Sequence, residues 1–270
     1  MPSSTTLTTI SRGQSSGLIN ARYNAQTKYG VTSVNMGRLE VGALIGVLVN
    51  TVPSLFYMLV HIYSDEALLR ELRNELEACV STELNKAKTQ HTRYLNVHAV
   101  KEKCALFHSV FHEVLRVHSL SATSRLVLKD TTLNDTYLLK AGSVVQMPTS
   151  VIHSDLTTWG ANAKSFNPGR FLKQDPTGKE PKRSPAAAFR AWGGGSTLCP
   201  GRHFASTEII SLAAMLVLRF DMVPVKGQWV IPPPCQVSLA TAVFPPKEDI
   251  PVRVARRPEV GEGPWEFVIS

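Results

Sequence analysis

The residues best suited to chemistry lie in one run, Trp192-Gly193-Gly194-Gly195-Ser196-Thr197-Leu198-Cys199-Pro200-Gly201. Three successive glycines let a backbone turn tightly and approach a large flat partner more closely than side chains would allow. Cys199 follows, directly before Pro200, and proline is favoured at the first position of a helix. The cysteine is thereby expected at the positive end of the helix that runs through ASTEIISLAAMLVLRF, a position that favours negative charge. A thiolate in such a place serves as a nucleophile, a redox thiol or a metal ligand, and a buried structural cysteine is the plain alternative. Glycine neighbours in place of packing residues weigh against the structural role. A nucleophile needs a base, and no histidine stands at a spacing that presents one, since His203 falls inside the expected helix. Metal ligation is what remains.

Two other sets of polar residues stand out. Glu113 and Arg116 are three apart within a segment of helical periodicity, so they share a face and can pair. Taken alone, such a pair is more often a solvated surface contact of little energetic weight. Asn50, Thr51 and Pro53 sit together inside the apolar segment from Val41 to Tyr63. That segment is long enough to cross a membrane. Lipid, however, would penalise the amide of Asn50 and the carbonyl that Pro53 frees, so a long helix buried in protein, bent at its centre and polar there on one side, accounts better for it.

Several elements must position these residues. After the central helix, Ser64 or Asp65 can cap a second one carrying Leu68, Leu69, Leu72 and Leu76 at helical spacing. Residues 81 to 96 are polar and are expected to form a loop. Another helix is expected from about Val100 to His118, with Leu106, Val110, Val114 and Val117 on one side. The β-branched runs that follow are broken at Asn134-Asp135 and Ala141-Gly142, as strands and turns would be. Residues 158 to 185 are rich in Pro, Gly, Asn and Lys and predict a long irregular stretch, a kind that is usually functional or held by specific contacts. The well-formed helix from Pro200 to about Phe220 precedes a tail of short strands such as QVSLATAV. The fold class expected is mainly α with small β-sheets, an α+β arrangement.

Composition sets wider bounds. The chain has 270 residues, 43% of them hydrophobic, enough to bury a core. Its net charge of +8 could attract anionic lipid, nucleic acid or an acidic protein. The basic residues are scattered, which argues against nucleic acid. Four widely spaced cysteines and no C-x-x-C pair suit a reducing compartment better than a disulfide scaffold. The first 20 residues are Ser/Thr-rich without the apolar core of a secretory signal, and residues 1–30 are expected to be a flexible or miscalled terminus.

The run from Trp192 to Gly201 resembles the haem-binding signature of the cytochrome P450 family, F-x-x-G-x-x-x-C-x-G, with Trp192, Gly195, Cys199 and Gly201 in the fixed places. Glu113-Val114-Leu115-Arg116 is similar to that family's E-x-x-R, and Phe166-Asn167-Pro168-Gly169-Arg170-Phe171 to its F-x-P-x-R-F, in the family's order. Arg125 resembles a family arginine that binds a haem propionate. Ile152-His153 with Asp155 and Trp159 resembles a stretch that precedes F-x-P-x-R-F, and there His153 serves either as a satisfied structural histidine or as a contact to the cofactor. The resemblance implies that residues 31–270 are the C-terminal part of the cytochrome P450 fold, from the long central helix to the cysteine loop, the helix after it and the last strands.

It also implies haem b (iron protoporphyrin IX) with Cys199 as axial iron ligand. Trp192, Gly193, Gly195 and Arg125 would be cofactor-binding, and Glu113, Arg116 and Arg170 a structural lock. Asn50 and Thr51 would be catalytic residues on the oxygen side. Expected partners are dioxygen, a lipophilic substrate and a flavoprotein reductase that passes electrons from NADPH, docking near Arg202 and the basic residues of 179 to 190. The expected activity is monooxygenation of a sterol-like or other lipid.

Two departures qualify this. Asn50 holds the place of the family's proton-steering threonine, a variant similar to the sterol 7-alpha-hydroxylase and prostacyclin synthase branch, and it admits an isomerase acting on an oxygenated lipid. Thr197 stands where many members carry a propionate-binding arginine. Family members are close to twice this length. The expectation is therefore a fragment lacking the N-terminal half through which the family joins the endoplasmic reticulum membrane, or a noncatalytic remnant.

Overall fold

A computed structural model describes residues 16–84, 91–172, 186–235, 241–260 and 263–268. In chain order the elements are α1 (Gly17–Lys28), α2 (Ser33–Tyr63), α3 (Glu66–Glu77), β1 (Val80–Leu84), β2 (His91–Asn96), α4 (Val97–Lys103), α5 (Ala105–His118), β3 (Ala122–Leu126), β4 (Thr131–Leu133), β5 (Tyr137–Leu139), β6 (Val144–Pro148), α6 (Thr149–His153), α7 (Leu156–Trp159), α8 (Arg202–Arg219), β7 (Phe220–Pro224), β8 (Val252–Arg256) and β9 (Trp265–Val268). Long helices with small sheets make this an α+β fold, as the periodicities imply.

The chain forms two compact units, Met1–Leu48 and Val49–Ser270. Within the first, Ser16 caps α1 through a bond from Ile19 N, and Arg22 of α1 pairs with Glu40 at 3.0 Å. No residue of α1 is buried, and none of α2 before residue 51 is. The expectation of a helix buried along its length is thus met only from Thr51 to Tyr63. Val41, Leu44, Ile45 and Leu48 are exposed. By length and composition α2 could cross a membrane. Pro53 lies inside it, and the Ser54 hydroxyl donates to Asn50 O at 2.7 Å, satisfying a carbonyl next to the one the proline leaves unpaired.

The core of the second unit is built from helical stripes. Tyr57, Met58 and Ile62 of α2, Leu68, Leu72 and Leu76 of α3, Phe107, Val110, Phe111 and Val114 of α5, and Ile209, Ile210, Ala213 and Val217 of α8 are all buried. Asp65 caps α3 by accepting from Leu68 N at 3.0 Å. Cys104 divides the helix expected over 100 to 118 into α4 and α5. Cys104 has no capping side-chain bond of its own, and Glu75 of α3 serves instead, accepting from Leu106 N at 3.0 Å and Phe107 N at 2.9 Å. A carboxylate at a helix start satisfies orphan amides and complements the dipole.

The loop expected over 81 to 96 is corrected. β1 and β2 pair antiparallel, Val80 opposite Leu95, and β9 adds to β2 in parallel, Arg93 opposite Trp265. Thr92 and Leu95, the buried residues of β2, stand three apart, so the segment lacks the alternation by which a strand is read from sequence. β3 pairs with β6, β4 with β5 through a turn in which Asn134 and Asp135 take φ 51° and 50°, and β7 with β8. Most of the tail segment QVSLATAV lies outside the described residues, but Val243 bridges Ser119.

Candidate functional site

The most buried polar assembly joins α5 to the irregular stretch after α7. Arg116 donates to both oxygens of Glu113, Nε to Oε2 at 2.7 Å and Nη2 to Oε1 at 2.8 Å. Its remaining N–H groups go to the carbonyls of His153 at 2.5 Å, Ala163 at 2.6 Å and Ser165 at 3.2 Å. Five donors meet five acceptors, the full capacity of a guanidinium. Arg170 Nε lies 3.0 Å from each oxygen of Glu113, and its other nitrogens reach Trp159 O, Asn162 and Ser165 O. Asn167 N donates to Glu113 Oε1 at 2.9 Å, so the carboxylate holds the backbone of residues 159 to 170 as well as the two cations. Glu113, Arg116 and Arg170 therefore meet, which is why a segment poor in regular structure is nonetheless fixed.

His153 ties this assembly to the cysteine loop. Its Nε2 accepts from Arg190 N at 2.8 Å, which leaves Nδ1–H to donate to Arg116 O at 2.7 Å. Both ring nitrogens are spent on protein, so of the two roles open for His153 the structural one stands. Burial lowers its pKa to about 4, keeping the ring in the neutral form that this bonding needs.

The cysteine loop closes on itself. Cys199 N donates to Trp192 O at 2.8 Å, Gly193 N to Arg190 O at 3.0 Å, Thr197 N to Gly194 O at 3.3 Å and Leu198 N to Gly195 O at 3.2 Å. Gly193 has φ 77° and Gly195 φ 59°, conformations that side-chain-bearing residues rarely adopt. A Cβ on Gly193 would also stand 2.9 Å from Thr197 O, so glycine is required there for space too. Cys199 is half-buried and free, two residues before Gly201, the cap of α8. A Cβ on Gly201 would lie 3.9 Å from its sulfur. Trp192 is half-buried and faces Phe111, ring centroids 6.5 Å apart. Arg202 turns back to donate to Cys199 O at 3.1 Å, while residues 179 to 185 lie outside the described residues.

Arg125, from β3, comes to the same loop. Its Nη2 donates to Thr197 Oγ1 at 2.8 Å and to Gly194 O at 3.3 Å. Asn50 is used differently from what its place in the sequence suggests. Its Oδ1 accepts from Ala242 N at 2.7 Å and Val243 N at 3.1 Å, anchoring a segment 192 residues away. Two backbone donors on one atom fix the amide's orientation, so the NH2 group faces away from them. Thr51, beside it, is buried.

The donor set fits an iron porphyrin. Among the described residues no three His, Cys, Asp or Glu side chains converge to hold a bare metal ion. A single half-buried thiol suits a metal that brings its remaining ligands with it, and the glycine-lined loop leaves backbone beside the sulfur. Arg125 supplies a cation for a carboxylate.

Comparison with known proteins agrees with this set of features. Residues 18–250 match the cytochrome P450 family model. The chain is 38% identical over 259 residues to cytochrome P450 monooxygenase nodJ of Hypoxylon pulicicidum, covering 95% of this chain and 50% of that protein. It is 32% identical over 263 residues to a cytochrome P450 monooxygenase of Gibberella zeae, covering 94% and 49%. It is 27% identical over 203 residues to 25-hydroxycholesterol 7-alpha-hydroxylase of Rattus norvegicus, covering 72% and 48%. The chain belongs to the cytochrome P450 family, and it spans about half the length of the curated relatives it matches.

Proposed function

We propose that the chain carries the haem-binding part of a monooxygenase, with haem b held by the Cys199 thiolate. The observation that supports this is the free, half-buried cysteine set two residues before a helix cap in a loop where Gly193 and Gly195 adopt backbone conformations that other residues rarely take. When bound, a thiolate-ligated haem supplies dioxygen activation, using electrons delivered by a flavoprotein reductase from NADPH. Around it, Trp192 packs beside the loop, Gly193 and Gly195 hold the turn that presents the sulfur, and Arg125 binds a carboxylate of the cofactor. The assembly of Glu113, Arg116 and Arg170 keeps the preceding stretch in place. On the oxygen side, Asn50 presents its amide N–H groups and Thr51 lies next to it. An amide donates hydrogen bonds but is not an acid, so it orients a bound acceptor without delivering a proton.

The substrate proposed is lipophilic, sterol-like or another lipid, on the likeness to relatives that include a hydroxycholesterol hydroxylase. Asn50 also favours a second reading, an isomerase that rearranges an oxygenated lipid and needs no delivered proton. The endoplasmic reticulum membrane is the location proposed, from the family resemblance.

The test is spectroscopic. Loaded with haem, reduced and exposed to carbon monoxide, the chain should show the red-shifted Soret band of a thiolate-ligated complex, and Cys199→Ser should abolish that band. A wild-type spectrum lacking it, or an unchanged one in Cys199→Ser, would refute the assignment.

A further inference from the structure

Among the described residues Arg22, Arg73, Arg93, Arg116, Arg170 and Arg257 pair with carboxylates. Arg125 and Arg190 are among the arginines whose guanidinium meets no described Asp or Glu. Both nevertheless converge on one residue, Gly194. Arg125 donates to its carbonyl. A Cβ built on Gly194 would fall on the terminal nitrogens and guanidinium carbon of Arg190, so that head group occupies the space a side chain at 194 would take. Gly194 has φ 179°, an ordinary extended backbone, and room for Arg190, not conformational freedom, is what glycine provides there. The backbone of Arg190 is itself held, through its N–H bond to His153, to the buried assembly on α5.

Two cations brought to one loop residue with no anion between them among the described residues repel each other, and a bound anion would offset that repulsion. The loop concerned is the one that carries Cys199, and Thr197, the loop side chain that Arg125 touches, is neutral. We infer that Arg190 is a second carboxylate-binding residue of the cofactor site, acting with Arg125 on the acidic side arms of iron protoporphyrin IX and standing in for the cation absent at Thr197. This rests on the haem assignment above and goes beyond it in naming how a site with a threonine at 197 retains its charge complement.

The experiment compares iron protoporphyrin IX with its dimethyl ester, in which both acidic arms are neutral. The full chain, freed of porphyrin, is titrated with each and followed by Soret absorbance, alongside Arg190→Gln and Arg190→Lys. Charge-assisted pairing predicts that Arg190→Gln weakens binding of the diacid by roughly tenfold or more and leaves ester binding unchanged, with Arg190→Lys in between. Unchanged ester binding also shows that the variant is folded. Equal losses for both porphyrins, or an undiminished preference for the diacid, would overturn the role of Arg190 while leaving Cys199 as ligand. A wild-type chain that binds neither porphyrin would overturn the haem assignment and this inference with it.

Discussion

The assembly around Glu113 and the loop around Cys199 are joined by one histidine, yet they are finished in opposite ways. At Glu113 every N–H of Arg116 has an acceptor within the protein, and the carboxylate answers two cations and a backbone amide. At the cysteine loop the backbone is equally well closed, but among the described residues Arg125 and Arg190 meet no carboxylate and Cys199 is free. The first region is complete once the chain folds. On the haem proposal the second is shaped by folding and completed by the cofactor, so mutations in the two should be felt in different measurements, stability for one and binding for the other.

The largest effect is expected from Glu113→Gln, which leaves two arginines with side chains only 2% and 9% exposed facing no anion. Breaking a buried pair by removing one partner costs about 3–5 kcal/mol, so the variant should lose most of its stability in urea unfolding with or without porphyrin. If instead it unfolds like the wild type and fails only in porphyrin binding, the proposed division between the regions is wrong.

Acid should act on the joint. His153 has its pKa lowered to about 4 by burial, and His61 likewise to about 4. His118 is lowered to about 3, by burial first and then by His61, whose Nε2 lies 2.9 Å from its own. Above pH 6.5, the ordinary value, these rings are neutral folded or unfolded, and their contribution is intact. As pH falls from 6.5 to about 4 the unfolded chain takes up protons that folded His153 refuses, so stability drops through that window by about 1–3 kcal/mol per ring. Unfolding midpoints measured across it for the wild type and His153→Gln should differ in slope. Parallel curves would remove His153 from the account.

What the residues disclose in advance follows from how local the interactions are. Glu113 and Arg116 are one helical turn apart, so their pairing follows from spacing, whereas the link to Arg170 is what the resemblance of its run to the family motif implies. The glycines and Cys199 are likewise contiguous. The sheet formed by β1, β2 and β9 could not be anticipated, because β9 lies some 170 residues from β2 and β1 is almost wholly exposed. Arg190 is expected from the sequence only as one of the basic residues of a docking patch, since what marks it otherwise is its approach to Gly194 with no carboxylate beside it among the described residues. Asn50 was noticed for its position, but its bonds to Ala242 and Val243 depend on a distant segment with no motif of its own.

Those bonds give a smaller, separable effect. Asn50→Leu deprives two backbone donors of their acceptor and should cost about 1–3 kcal/mol, with faster amide exchange at Ala242 and Val243. Asn50→Asp keeps an acceptor and should protect those amides while losing the N–H donors. Equal exchange in both variants would show that Asn50 does not anchor the segment, and would free its whole amide for the oxygen side of the site.

The smallest effect tests the contrast most directly. In the porphyrin-free chain Arg190→Gln removes a head group that makes no hydrogen bond or ion pair to the described residues, and removes one of two like charges at Gly194. Its stability should therefore stay within about 0.5 kcal/mol of the wild type, or rise slightly from relieved repulsion, whereas a side chain inside a finished network would cost several times more. A loss of about 2 kcal/mol or more without porphyrin would mean that folding alone completes the cysteine loop too. The charge at Arg190 would then belong to the scaffold, and the difference between the two regions would disappear.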